Sequence, residues 1–372
     1  MKRQQIDSIR RDLEKKMVFV LGPRQVGKTW LAKEIAKSFQ KTLYLNYDNT
    51  KHREIIKEQA WLPDLDLLIF DEIHKMPDWK NYLKGVFDVK PDTMRILITG
   101  SARLDAYRQV GDSLAGRFFR HRLLPLSMSE LEQTEYSGDF DRLFERGGFL
   151  EPFLADSNTD AERWRDTYGD SLLRKDVLHF ADVDNYLAMS QVFDVLKSKI
   201  GSPISYSSIA RDVGISPITA KRYIGIFEAL YMVFQVKPHA TKIARAILKE
   251  PKFYFYDYGL ISDPGARLEN MIALGLHKNL ALQHDTTGKR KTLTFLKTKD
   301  GKEIDFAIIG SDHQIENIIE VKTSDKNVSK ALRYFSDKYQ LRALQIVKNL
   351  QIERKDGALI EVRRASDWLR TL

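Results

Sequence analysis

The chain has 372 residues, 43% of them hydrophobic, no cysteine and a formal charge of +9. That length accommodates two or three domains with ordinary cores. The lack of cysteine excludes disulfides and cysteine-ligated metal sites, the eight histidines show no HxxxH or HExxH spacing, and no run of about 18 apolar residues is present to span a membrane.

The opening MKRQQIDSIRRDLEKK is charged and does not read as a signal peptide, so a cytoplasmic location is expected. Next, MVFVLGPRQVGKTWLAKEIAK reads as an apolar strand, a glycine-bounded loop and an amphipathic helix. Gly22, Gly27, Lys28 and Thr29 fit G-x-x-x-x-G-K-[ST]. Backbone N–H groups of Gly22-Pro23-Arg24-Gln25-Val26-Gly27, with Lys28, Thr29 and Trp30 opening the helix, would cradle the phosphates of ATP. Lys28 would reach the outer phosphates and the Thr29 hydroxyl would hold Mg²⁺.

TLYLNYD (42–48) is a second strand, and DLLIFDEIHKM (66–76) contains a fully apolar one ending in Asp71 and Glu72. Such a run suits a buried parallel strand. Asp71 is the carboxylate expected to hold Mg²⁺ through water, and Glu72 is the general base for the attacking water, unless it only caps the next helix. RILITGSA (95–102) ends in Thr99, Gly100 and Ser101, a polar tip suited to sensing the last phosphate. Arg117 stands just before a fifth strand. It could stabilise transition-state charge in its own subunit or, in a homo-oligomer, a neighbour's; the plainer reading is a surface salt bridge. Strands alternating with helices give an α/β fold with a parallel sheet covered on both faces.

Residues 132–196 read as helices with short loops and no catalytic motif. In 197–251, nine Lys or Arg face three Asp or Glu, a local excess of positive charge. There ISYSSIARDVG is a helix ending at Gly214, and Ser216 and Pro217 start a second. The second helix is expected to bury Ile218, Ile224, Phe227 and Leu230 and to present Thr219, Lys221 and Arg222. Helix, glycine turn and helix form a helix-turn-helix pattern. MVFQVKP and PKFYFYDYG would pair as a wing, with Lys242, Arg245 and Lys249 between them. Thr219, Lys221, Arg222 and Arg245 are the expected DNA contacts; docking a protein is the rival reading.

In the tail, Asp305 lies in one apolar strand and Glu320-Val321-Lys322 ends the next. Residues i and i+2 of a strand share a face, so Glu320 and Lys322 stand side by side. Glu269 lies on a preceding amphipathic helix, and another helix follows the second strand. Asp305, Glu320 and the Val321 carbonyl are hard oxygen ligands suited to Mg²⁺, with Glu269 holding a bound water or a second ion. Lys322 would position a water or offset charge. The rival readings are an edge-strand ion pair and a folded but inactive site.

With GPRQVGKT, LLIFDEIHKMPDW, ITGSA, SLAGR, LPLS, PKFYFYDYGL, LEN, EIDF and EVKTS in that order, nearly the whole chain resembles the bacterial and archaeal AAA-type ATPases (the AAA_14 kind) that carry a C-terminal domain of unknown function. That domain resembles the PD-(D/E)xK restriction-endonuclease fold, although Ile304 replaces the proline. The resemblance implies a P-loop ATPase core of the ASCE/AAA type over 1–131, a helical lid or linker over 132–196, a winged helix over 197–260 and a nuclease-like domain over 261–372. The expected function is ATP hydrolysis coupled to DNA. The alternative is an ATP-governed scaffold with an inactive nuclease fold that docks a partner protein.

Overall fold

The computed structural model describes residues 2–100, 114–172, 185–239, 250–298, 300–324 and 327–372. The chain divides into two compact units, Met1–Leu124 with Asp285–Thr287, and Pro125–His284 with Gly288–Leu372.

In the first unit, β1 (Met17–Leu21), β2 (Thr42–Asn46), β3 (Leu67–Asp71), β4 (Arg95–Gly100) and β5 (Phe118–Arg122) form one parallel sheet in the order β2-β3-β4-β1-β5. Every residue of β1 and β3 is buried, as the apolar runs Met17–Leu21 and Leu67–Phe70 require, with Asp71 the buried polar end of β3. Alternation along these strands builds two cores. Val18, Val20, Leu67 and Ile69 pack with Ile9 and Leu13 of α1 (Ile6–Leu13) and with Leu31 and Ile35 of α2 (Lys28–Ala36). Phe19, Leu68 and Phe70 pack on the opposite face with Ile56 of α3 (Thr50–Glu58) and with Leu83 and Val86 of α4 (Trp79–Val89). The sheet is covered on both sides, and its carboxyl edge is left for the loop between β1 and α2.

The second unit begins with α5 (Met128–Leu131), α6 (Phe140–Arg146), α7 (Leu150–Leu154), α8 (Asn158–Ser171) and α9 (Tyr186–Ser198). Two further helices follow, α10 (Tyr206–Val213) and α11 (Pro217–Ala229), then β6 (Val233–Pro238) and β7 (Lys252–Phe255), which pair antiparallel. The long α12 (Pro264–Thr287) leads to β8 (Thr292–Lys297), β9 (Glu303–Ile309) and β10 (Ile315–Lys322). After them come α13 (Lys330–Tyr339), β11 (Ala343–Val347), β12 (Arg354–Asp356), β13 (Ile360–Arg364) and α14 (Ala365–Arg370). Eight strands make one mixed sheet in the order β12-β13-β11-β10-β9-β8-β6-β7. Among the described residues, no helix is long and apolar enough to cross a membrane.

Candidate nucleotide site and carboxylate cluster

The first site is built at the carboxyl end of β1. Gly22 is needed by close approach, because a Cβ there would meet the Leu123 carbonyl oxygen at 2.0 Å. Gly27 has φ +96, left-handed backbone that glycine adopts freely, and it opens α2. Lys28 is only 8% exposed, and its ammonium donates to the carbonyls of Gly22 (3.0 Å) and Pro23. Burial pulls its pKa down to about 8, with Glu72 and Asp71 opposing the fall and Arg24 adding to it. Thr29 and Trp30 are exposed on the first turn of α2, Arg24 is half-buried, Val26 is buried, and Gln25 is exposed with φ +58.

Asp71 ends β3 beside Thr99 of β4, in register. Its carboxylate accepts from Thr29 Oγ1 at 3.2 Å, from Thr99 Oγ1 at 2.7 Å and from the Tyr44 hydroxyl. Glu72 follows in left-handed backbone, φ +56, and lies 3.3 Å from Lys75 Nζ. The loop, Lys28, Thr29, Asp71 and Glu72 thus share one end of the sheet. Because Thr29 and Asp71 bring two hard oxygens together, the donor set fits Mg²⁺. Ser101 lies outside the described residues.

Arg117 is not brought to this end. It precedes β5, and its carbonyl accepts from the Met17 N–H at the amino end of β1. Four strand residues, roughly 13 Å, separate that edge from Leu21. Its guanidinium instead forks onto Asp88 at 2.8 and 3.1 Å. The salt-bridge reading describes its geometry.

In the second unit, α10 ends at Gly214 with φ +77, and Ser216 accepts from Thr219 N at 3.0 Å to cap α11. Lys221 and Arg222 are exposed and Thr219 is half-buried. The expected burial of Ile218 is corrected, since it is 83% exposed. It stands three and four residues before Lys221 and Arg222 and so shares their face, while Ala220, Tyr223, Ile224 and Phe227 form the buried one. Lys242, Arg245 and Lys249 lie outside the described residues.

The tail carboxylates do converge. The ladder of β9 on β10 stops at Phe306 opposite Ile319, and beyond it the Val321 N–H donates to Asp305 Oδ2 at 2.8 Å. That contact engages the amide of Val321, where the sequence expectation used its carbonyl. Lys322 Nζ lies 2.9 Å from Glu320 Oε1, and Glu320 Oε2 is buried with no hydrogen-bond partner. Burial and the Asp305 charge push both Glu269 and Glu320 up to about 7. Burial also raises Asp305, against Lys252, the Val321 N–H and Lys322.

Lys252, at the start of β7 and 1% exposed, stands among these groups. Its ammonium lies 2.8 Å from Glu303 Oε1, 3.5 Å from Glu269 Oε1 and 3.8 Å from Asp305 Oδ1. Tyr254, two residues on, donates to Glu269 Oε1 at 2.7 Å, and Lys297 lies 2.9 Å from Glu303 Oε2. Gly201, with φ +70, gives Glu269 room, because a Cβ there would meet both carboxylate oxygens at 2.7 Å. Among the described residues, no group of three or more His, Asp or Glu is arranged to hold a metal ion. Of the expected metal ligands, Glu269 and Asp305 therefore flank the Lys252 ammonium and Glu320 pairs with Lys322, and the tail does not fit Mg²⁺ as placed.

Residues 14–132 match the family described as an AAA domain. Residues 137–264 and 264–363 match two domains of unknown function, DUF8612 and DUF4143. Most of the first unit is thus similar to an AAA-type domain. Uncharacterized proteins of Mycobacterium bovis and Mycobacterium tuberculosis are each 30% identical over 74% of this chain and 60% of their own. The chain thus spans 60% of the length of these relatives. An uncharacterized protein of Methanocaldococcus jannaschii is 22% identical, over 82% of this chain and 76% of its own. Among solved structures, the Walker-type ATPase of Pyrococcus abyssi aligns with 72% of this chain and 95% of its own at 12% identity, with a TM-score of 0.47.

Sequence reasoning did not find Tyr44 beside the AAA-type loop, nor Lys252, Tyr254, Lys297 and Glu303 in the tail. A signal was present for part of the second group. Glu303 and Asp305 alternate on one strand face, as do Lys252 and Tyr254. A lysine opening an aromatic strand reads as surface until the tertiary fold supplies its carboxylates.

Proposed function

We propose that this chain is an ATP-hydrolysing AAA-type ATPase that acts on DNA through its helix-turn-helix, with the nuclease-like tail gripping the strand. The observation that carries the ATPase reading is the meeting of Lys28, Thr29 and Asp71 at the carboxyl end of the sheet. Lys28 rests on neutral carbonyls, so it can exchange them for the charged oxygens of a triphosphate and gain in the exchange. Thr29 and Asp71 would hold Mg²⁺, which shields the phosphate charge when bound. Glu72 leaves Lys75 to accept the proton of the attacking water, and Thr99 keeps Asp71 oriented.

The DNA reading is supported by the capped α11, whose exposed start carries Ile218, Lys221 and Arg222, and by the basic excess of 197–251. Lysine and arginine there suit phosphates, and an exposed isoleucine suits a thymine methyl. The order α12, β8, β9, β10, α13, β11 supports the nuclease-like reading of the tail. The lysine among its carboxylates favours grip over metal-dependent cutting, or an inactive fold that docks a protein.

The ATPase test compares hydrolysis by the full chain with Lys28→Ala and Glu72→Gln, with and without DNA. Hydrolysis is expected in the parent only, and a parent no faster than Lys28→Ala defeats the reading. The DNA test is a titration at several salt concentrations. Binding that weakens steeply with salt supports phosphate contacts, and no binding at low salt leaves the protein-docking reading.

A further inference from the structure

We infer that Lys252 is the built-in cation of the tail cluster, standing where a divalent ion would otherwise sit among Glu269, Glu303 and Asp305, so that the cluster takes up no metal while Lys252 is present. The inference concerns only the tail and is independent of the ATPase reading.

The geometry argues it in three steps. A divalent ion needs several oxygens converging at about 2.0–2.6 Å from one point. Here the point on which one oxygen each of Glu303, Glu269 and Asp305 converges is Lys252 Nζ, at 2.8, 3.5 and 3.8 Å. Glu303 and Glu269 lie within hydrogen-bond reach of the ammonium and Asp305 is an ion-pair partner just beyond it, and the side chain that brings it there is 1% exposed. Removing this ammonium would leave three carboxylates facing the point it vacates.

Charge points the same way. Glu269, Glu303, Asp305 and Glu320 bring four negative charges, and Lys252, Lys297 and Lys322 each pair with at least one of them. The cluster is close to neutral before any ion arrives, so a dication entering beside Lys252 meets a like charge. Burial alone would lower the Lys252 pKa, but Glu269, Asp305 and Glu303 outweigh it and hold the group above the usual lysine value. One acceptor stays unmatched, the buried Oε2 of Glu320, a carboxyl that feels the Asp305 charge.

The test uses the full chain without nucleotide, in a Thr29→Ala background that removes the ligand from the AAA-type loop, with Mn²⁺ alone as probe. Bound ion is counted by electron paramagnetic resonance. With Lys252 present, no site tighter than about 1 mM is expected. With Lys252→Met, one Mn²⁺ per chain is expected at least about tenfold tighter, and Asp305→Asn should remove it. A folded Lys252→Met chain that binds no Mn²⁺ overturns the inference. So does a Lys252-containing chain that binds one Mn²⁺ and loses it on Asp305→Asn. The last comparison stands even where Lys252→Met does not fold: unchanged Mn²⁺ uptake on Asp305→Asn upholds the inference and loss of uptake overturns it. Hydrolysis of ATP enters neither arm, so failure here and failure of the ATPase reading are told apart.

Discussion

Lys28 in the first unit and Lys252 in the second are both almost wholly buried, and their surroundings set them on opposite courses. Lys28 donates to the carbonyls of Gly22 and Pro23, and burial brings its pKa down to about 8. Lys252 is exposed even less, yet three carboxylates hold its pKa above the ordinary lysine value. A neutral dipole satisfies an ammonium without cancelling its charge, whereas a carboxylate cancels it. The first arrangement would keep a cation ready for an incoming phosphate, as the proposed ATPase reading requires. The second consumes the cation within the fold. Both regions set lysine beside aspartate and glutamate, so composition alone does not distinguish a ligand site from an internal ion network.

The largest expected effect tests the second arrangement. Lys252→Met should cost about 3–5 kcal/mol of stability in denaturant titrations, because it leaves buried carboxylates unpaired. Adding Glu303→Gln should return part of that loss. A cost below about 1 kcal/mol, the range of exposed pairs, would break the contrast. For the first arrangement, Lys28→Ala should lower ATP hydrolysis about 100-fold or more. Glu72→Gln should lower it similarly while nucleotide binding persists, which a filter-binding assay separates from turnover.

A pH series sharpens the comparison further. Below about pH 8, Lys28 is charged before and after phosphate arrives, so nucleotide affinity should be flat. Above that, the free protein has lost the proton and binding must restore it, because phosphate raises the lysine pKa. Affinity should then fall by up to about tenfold per pH unit. Titration of a fluorescent ATP analogue from pH 7 to 10 reads this directly, and a flat profile through pH 9.5 would contradict the depressed pKa. Smaller still, Lys221→Ala should reduce the slope of log affinity for DNA against log salt by about 1 if it meets one phosphate. Smallest is Arg117→Ala, expected to change hydrolysis by less than about twofold in a dilute single chain, since Arg117 stands at the other end of the sheet. A large loss that grows with protein concentration would point to a neighbour's site.

The contrast also explains what could be read from sequence. Gly22 to Thr29 are contiguous, and Asp71 and Glu72 end an all-apolar strand, so local chemistry and strand character locate them together. Arg117 could not be judged without the register of β5 on β1, which sets its end of the sheet. Ile218 was misjudged from helical spacing because a face must be assigned from all its members, and its companions are Lys221 and Arg222. Asp305, Glu320 and Lys322 were legible from the alternation of two neighbouring strands. Lys252 was not, because it meets Glu269, Glu303 and Asp305 only when β7, α12 and β9 converge, and no short-range pattern encodes that.

β6 hydrogen-bonds alongside β8, with Lys237 opposite Thr294 and Pro238 opposite Phe295. The hairpin that follows the helix-turn-helix is therefore woven into the same fabric as the tail. Severing the polypeptide after residue 260 would strip β8 of a neighbour and bare a row of amide and carbonyl groups, an invitation to stick to other chains. It would also carry Lys252 away from Glu303, leaving each fragment with orphaned charge.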